Sequence, residues 1–356
     1  MRPITLPRII NAAGHLSMLG GGVTPPELAR AIASAVEMGL SSPVDMAWLK
    51  DEVSLRIAAH TGAEAGCVTT GAAAGIALSV AACVTGDMPD QVRQLPDAAH
   101  KPIVLQSGHD IDFGAPVVQM IRLGGGAPVI AGSPSKILPG DLHRSLEWAS
   151  ALLFVQSHHV VARDRLPLSV CIEAAHAAGK PVIVDAAAEE DLRGYIAAGA
   201  DLVIYSGGKA LGGLSSSGFV AGRADLVRAV RAQERGIGRA MKVGPEQLLS
   251  VAVALDAYAP GGSNDSEVLG TLRAALAGIE AVELAIVDDE AGRAIQRLEV
   301  RTPRAVEAVA ALRGGTPPIY VRAHHAAEGR FAIDPRNLTV ETAREVAAAV
   351  RAALGG

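Results

Sequence analysis

Aromatic residues are scarce in this chain: four Phe, four Tyr and two Trp stand among 356 residues. Large rings therefore cannot dominate the core. Ala, Val, Leu and Gly must fill it, and helices must approach strands closely. Cysteine is scarcer still. Cys67, Cys83 and Cys171 are widely spaced and form no CxxC pair, so neither a zinc motif nor a disulfide framework is expected. They read as small buried hydrophobes in a reducing compartment. No uninterrupted run of about 18 strongly apolar residues occurs, so no membrane span is expected. The first residues, Met1 to Pro7, lack the apolar stretch of a secretory signal. No basic run of useful length appears, and the formal net charge is −5, which argues against a broad nucleic-acid surface. The chain reads as a cytoplasmic protein with a small-molecule partner.

What is present is apolar material in quantity. Hydrophobic residues make up 49% of the chain, ample for a large core and more than one lobe. Short apolar runs alternate with helical stretches from residue 65 to 235. The runs include Lys101–Gln106, Ala127–Ile130, Ala151–Gln156, Val182–Asp185, Leu202–Tyr205 and Gly218–Gly222. Helices are predicted at 26–38, 46–61, 114–122, 139–147, 167–179, 189–198 and 223–235. Residues 87–101, with two prolines, read as irregular. Such alternation predicts an α/β fold: a mostly parallel sheet with helices on both faces. After about residue 245 the character changes to a smaller α+β lobe. The expected division is an N-terminal segment over 1–20, a large domain over 21–245 and a small domain over 246–356. No internal repeat or low-complexity linker is evident.

In an open parallel sheet, ligands bind beyond the carboxyl ends of the strands, and three features fall there. Thr69-Thr70-Gly71-Ala72-Ala73 joins a strand end to a helix start. Small residues there let backbone N–H groups approach an anion, and the helix dipole favours it; a plain tight turn would look the same. Asp185 ends the run Val182-Ile183-Val184, where it is either a turn cap or a buried acid. Lys209 follows Ser206-Gly207-Gly208, a stretch that exposes backbone and serves no obvious packing need. Taken together in this order, the three describe a site for pyridoxal 5'-phosphate. Lys209 forms a Schiff base with the cofactor aldehyde, and Asp185 keeps the pyridine nitrogen protonated. Thr70, Gly71, Ala72 and Ser206 hold the phosphate.

Several segments resemble one family: Ile10-Asn11-Ala12-Ala13-Gly14, Thr70-Gly71-Ala72-Ala73, Val184-Asp185-Ala186-Ala187-Ala188, Ser206-Gly207-Gly208-Lys209, Met241-Lys242-Val243-Gly244 and Thr316-Pro317-Pro318-Ile319-Tyr320. The resemblance is to the fold type I pyridoxal phosphate enzymes. Within them it points to the branch of bacterial selenocysteine synthase and D-glucosaminate-6-phosphate ammonia-lyase. It implies a large cofactor domain, a small C-terminal domain, and a homodimer or larger homo-oligomer with the active site near the subunit interface. It also implies that Lys209, once displaced by substrate, moves protons at Cα. A ring at about the place of His109 stacks on the pyridine face in this superfamily. Gln156, or a neighbour in Gln156-Ser157-His158-His159, is placed to meet the cofactor's phenolic oxygen. No metal site is expected at that His pair.

Anionic substrates need cations. Arg322 is the candidate for a carboxylate, Lys242 for a phosphate or carboxylate, with Arg239 a lesser one. His15 and Asn11 enter from the N-terminal segment. The leading reading is a lyase that eliminates a β-substituent from a hydroxylated or sugar-derived amino acid, giving a 2-oxo acid and ammonia. A racemase, aldolase or aminotransferase would use nearly the same residues. A selenium transferase acting on charged tRNA is remote, since the chain reaches Ile10–Gly14 almost at once and is acidic. A dinucleotide-binding protein is disfavoured because Gly71–Gly75 reads G-A-A-A-G rather than G-x-G-x-x-G.

Overall fold

The computed structural model describes residues 4–97, 101–157, 160, 163–259, 265–289 and 295–355. Among these the strands, in chain order, are β1 (Ile10–Ala12), β2 (Ala65–Thr69), β3 (Lys101–Gln106), β4 (Gly126–Ala131), β5 (Ala151–Val155), β6 (Val182–Asp185), β7 (Leu202–Ser206), β8 (Gly218–Gly222), β9 (Glu283–Asp288), β10 (Gln296–Arg301), β11 (Ile319–Val321) and β12 (Arg330–Ile333). The chain divides into two units, one of residues 24–260 and one of residues 1–23 with 261–356.

The larger unit is built on one sheet of order β4-β3-β5-β6-β7-β8-β2. The strands β4, β3, β5, β6 and β7 run parallel; β8 is antiparallel to both β7 and β2. Both faces are covered, which is why β5 and β6 are unbroken apolar runs rather than alternating ones. Leu153, Val155, Ile183 and Ile204 pack on one face with Ile76 and Val80 of the helix Ala72–Thr85. Leu152, Phe154 and Val184 pack on the other with Leu49, Val53 and Ile57 of the helix Met46–Thr61. Few rings are needed because the layers come close. A Cβ on Gly75 would lie 2.6 Å from the Ile204 side chain. The helix Met46–Thr61 starts where Asp45 accepts from the N–H groups of Ala47 and Trp48, a cap worth about 1 kcal/mol.

The smaller unit pairs β1 with β11 in parallel and sets β12-β10-β9 as an antiparallel sheet. Its core joins Leu298, Val300, Phe331 and Ile333 to Leu272, Val309 and Val346 from three helices, Asp265–Leu276, Ala305–Gly314 and Val340–Leu354.

Four details differ from the sequence reading. The larger unit runs past residue 245, because Leu248, Val251 and Leu255 of the helix Pro245–Asp256 belong to its core. The helix expected over 189–198 contracts to Gly194–Ala197, since Asp191 accepts from the N–H groups of Arg193 and Gly194 and starts the helix late. A short helix, Pro89–Arg93, interrupts the stretch expected to be irregular. The strands β1 and β12 are too short to show a pattern of their own. Among the described residues no helix is long and apolar enough to cross a membrane.

Candidate active site

Strand register lines the expected cofactor residues along one edge of the large sheet. Thr69 and Ser206 both pair with Gly218, Asp185 pairs with Ile204 on one side and Val155 on the other, and Gln106 ends β3. Adjacent strands lie roughly 4.8 Å apart, so Thr70, Ser206, Asp185 and Gln156 follow one another along this edge.

At one end of the row, Gly71 is the N-cap of the helix Ala72–Thr85, with φ +117°. A side chain would be strained there, and a Cβ would meet nothing within 4 Å. The combination of open space, first-turn N–H groups and a fourteen-residue helix makes an anion cradle. Thr69 steadies it by donating to the Gly71 carbonyl at 2.9 Å. Beneath it β8 comes close, and a Cβ on Gly218 would lie 3.0 Å from Gly71 backbone atoms.

Asp185 is buried, and its Oδ1 accepts from the Ala187 N–H at 3.2 Å. Burial raises its pKa from 3.8 to about 6, against the opposing pull of the Lys209 ammonium and of that N–H. The acid is thus poorly compensated by the protein alone. Lys209 lies in a loop closed by Gly213 N–H donating to the Gly207 carbonyl at 2.7 Å and Gly212 N–H to the Lys209 carbonyl at 3.1 Å.

The two glycines before Lys209 do have a packing role, contrary to the sequence reading. Gly207 N–H donates to Ser217 at 2.7 Å, and a Cβ on Gly207 or Gly208 would collide with Ser217 or Ser215. The lysine loop is therefore pressed onto residues 214–217.

His109 is buried, not a surface loop residue. Its Nδ1 accepts from the Val155 N–H at 3.0 Å, and its ring meets Phe154 edge-on at 4.6 Å. Its Nε2 lies 3.2 Å from the Gln106 amide nitrogen. Burial, with Arg165 adding repulsion, pushes the pKa down to about 4, so the ring stays uncharged. Gln106 clamps the Leu166 backbone, accepting at 2.9 Å and donating at 3.0 Å. Gln156 donates its N–H to the Asp185 carbonyl at 2.8 Å. His158 and His159 lie outside the described residues.

Lys242 and Arg239 line a cavity of about 250 Å³ with Met46, Cys67, Val68 and the Lys50–Glu234 pair.

Asn11, His15 and Arg322 belong to the smaller unit. Asn11 is buried and spent on its own turn, donating to the Gly14 carbonyl at 3.0 Å and accepting from Ala13 N–H at 3.0 Å. It shapes the turn that leads to His15. Asn11 pairs with Tyr320 and Ala12 with Val321, so His15 and Arg322 leave the two-stranded sheet at the same end. Burial lowers the Arg322 pKa to about 10. Three residues around it had no sequence signal: Arg297, Asp334 and Arg336 meet only through the tertiary fold.

A parallel sheet with a phosphate cradle, a buried strand-end acid and a lysine loop along its carboxyl edge is the cofactor scaffold of a pyridoxal phosphate enzyme. No protein-family model matches the chain. It is 39% identical to D-glucosaminate-6-phosphate ammonia lyase of Salmonella typhimurium over 343 residues, 94% of this chain and 92% of that protein. It is also 39% identical to 5'-C-glycyluridine monooxygenase-decarboxylase of a Streptomyces species over 347 residues, 93% of this chain and 86% of that protein. The solved structure of D-glucosaminate-6-phosphate ammonia-lyase superposes with a TM-score of 0.87 at 37% identity, covering 98% of this chain and 96% of that one. The chain belongs to the fold type I pyridoxal phosphate enzymes, in the group that contains D-glucosaminate-6-phosphate ammonia lyase.

Proposed function

We propose that the protein is a pyridoxal phosphate-dependent lyase acting on a hydroxylated, sugar-derived amino acid. It removes the β-hydroxyl as water and releases a 2-oxo acid and ammonia. One observation carries this reading: identity to the ammonia lyase extends over nearly the whole of both chains, in sequence and in structure. The cofactor residues on the sheet edge supply the chemistry that such an elimination needs.

Bound pyridoxal phosphate draws electron density from the substrate Cα into its protonated ring. The chain's residues have distinct tasks. Lys209 would hold the cofactor, and its free amine would take a proton from the substrate Cα and return one. Asp185, ionised beside a cation, keeps the pyridine nitrogen charged. The Gly71 and Ala72 N–H groups, with the Thr70 and Ser206 hydroxyls, fix the phosphate. His109, uncharged and immobile, backs the ring. Gln156 follows Val155 beside Asp185 and serves the phenolic oxygen. Arg322 holds the substrate carboxylate, and His15 lies at the same end of its sheet. The balance closes: a β-hydroxy amino acid loses water across Cα–Cβ, then regains water as ammonia leaves. We place the enzyme in the cytoplasm as a homodimer or larger homo-oligomer.

The second relative favours a different outcome on the same scaffold, loss of the carboxylate with oxygen uptake. The test is a panel of amino sugar acids and β-hydroxy amino acids, with ammonia, 2-oxo acid, carbon dioxide and oxygen all followed. Equal yields of ammonia and 2-oxo acid without oxygen uptake are expected. Carbon dioxide release coupled to oxygen uptake would replace the lyase reading.

A further inference from the structure

His109 stands where the large sheet reverses its order. The chain passes from β3 outward to β4 and then back across to β5, so the switch point lies between β3 and β5. Those two strands are in register at Ile103–Ala151 and Val104–Leu152. Further along, the Val155 N–H donates to His109 Nδ1 at 3.0 Å. A tight turn brings the ring there: Gly108 has φ +88°, and the His109 N–H donates to the Gln106 carbonyl at 3.0 Å.

Gln106 closes the other side of the ring. Its Oε1 accepts from the Leu166 N–H at 2.9 Å, and its Nε2 donates to the Leu166 carbonyl at 3.0 Å. This two-point pairing fixes which end of the amide is which. A flipped amide would set oxygen against oxygen and NH2 against N–H. The atom 3.2 Å from His109 Nε2 is therefore the amide nitrogen, a donor. Both ring nitrogens thus face protein donors. A neutral imidazole has one acceptor nitrogen and an imidazolium has none. A neutral ring satisfies one of the two donors, whereas a protonated ring opposes both. Gln106 and His109 are each only 3% exposed, so water has little access to relieve that conflict.

We propose that Gln106 is a positioning residue: by denying His109 an acceptor, it holds the ring as an uncharged plate at the switch point. This rests on the lyase reading, which sets His109 behind the cofactor ring, and deepens it. An imidazolium there would repel the pyridinium charge that Asp185 maintains. Among the described residues, three other titratable or charged groups lie around the ring. Arg165 repels a ring proton. The Cys171 thiol lies 4.0 Å behind Gln106 Nε2. Asp185, paired with Val155 across β5 and β6, would favour a ring proton, but its Oδ1 accepts from the Ala187 N–H.

The test follows the His109 ring nitrogens by NMR in protein carrying isotope-labelled histidine, with the signal assigned by its loss in His109→Ala. Gln106→Glu replaces the donor with an acceptor. In the cofactor-free variant, His109 should take up its proton at least about one pH unit higher than in wild type, a tenfold gain in the protonated form. An unchanged midpoint in the folded variant overturns the proposal. In the variant holoenzyme the visible cofactor band should shift over the same pH range. If His109 titrates and the band ignores it, the placement of His109 behind the ring fails and the role of Gln106 stands. If the variant does not fold, wild type decides. Its Gln106 side-chain amide should exchange slowly and show proton contacts to the His109 ring, and that ring should stay neutral down to about pH 5. A fast-exchanging amide, or an imidazolium at about pH 6, overturns the proposal.

Discussion

Replacing Asp185 with Asn should stabilise the cofactor-free protein at neutral pH while destroying its use. Burial raises the Asp185 pKa from 3.8 to about 6, even with the Lys209 ammonium and the Ala187 N–H working against it. A rise of that size costs the ionised form about 3 kcal/mol. Below about pH 4 the carboxyl is protonated in folded and unfolded chains alike, and the neutral amide gains nothing. Between about pH 4 and 6 the unfolded chain ionises first, so the folded wild type loses stability as pH rises. Above pH 6 the full penalty stands, and Asp185→Asn avoids it; the amide oxygen still accepts from Ala187. Urea unfolding of both cofactor-free proteins at pH 4 and pH 8 measures this. The variant should gain roughly 2 to 3 kcal/mol at the higher pH and almost none at the lower. Added pyridoxal phosphate should reverse the order, since only the carboxylate pairs with the ring cation. A variant less stable than wild type at pH 8, or a difference that does not change with pH, refutes the assignment of strain to this carboxyl.

Other consequences are as direct. Gly71→Ala forces a side chain to φ +117° and should cost about 1 to 3 kcal/mol. Titration with pyridoxal phosphate should show a weakened affinity as the cradle shifts. Burial pushes the Cys171 thiol up to about 12, and a disulfide reagent at pH 7.5 should label it only after unfolding. His109→Ala leaves the buried Val155 N–H without its acceptor, a loss of about 1 to 3 kcal/mol in urea unfolding. Because His109 titrates near pH 4, it should contribute no limb to the pH–rate profile between pH 5 and 9.

The large sheet and its ligand edge were legible in the sequence because each buried parallel strand is a short apolar run ended by a polar or small residue. Val182–Asp185 and Leu202–Ser206 show this most clearly. The lysine loop was legible in place but not in cause, since the need for Gly207 and Gly208 comes from Ser215 and Ser217 folding back on them. Lys242 was read from its motif alone, and its cavity is defined by helices distant in sequence. Asn11 was legible as a polar residue beside a glycine, but its bonds to the Gly14 carbonyl and the Ala13 N–H, which build the local turn, were not. The arginine cluster could not be foreseen, because Asp334 joins partners 37 residues apart and next to it in the chain alike.

The central claim is that Lys209 carries pyridoxal phosphate against Asp185. The direct measurement is the visible absorption of the purified protein with added cofactor, followed by borohydride reduction and peptide mass analysis. A visible band that borohydride removes, with the reduced cofactor mass on the peptide containing Lys209 and no band in Lys209→Ala, is predicted. Absence of the band, or attachment at another lysine, would contradict the account.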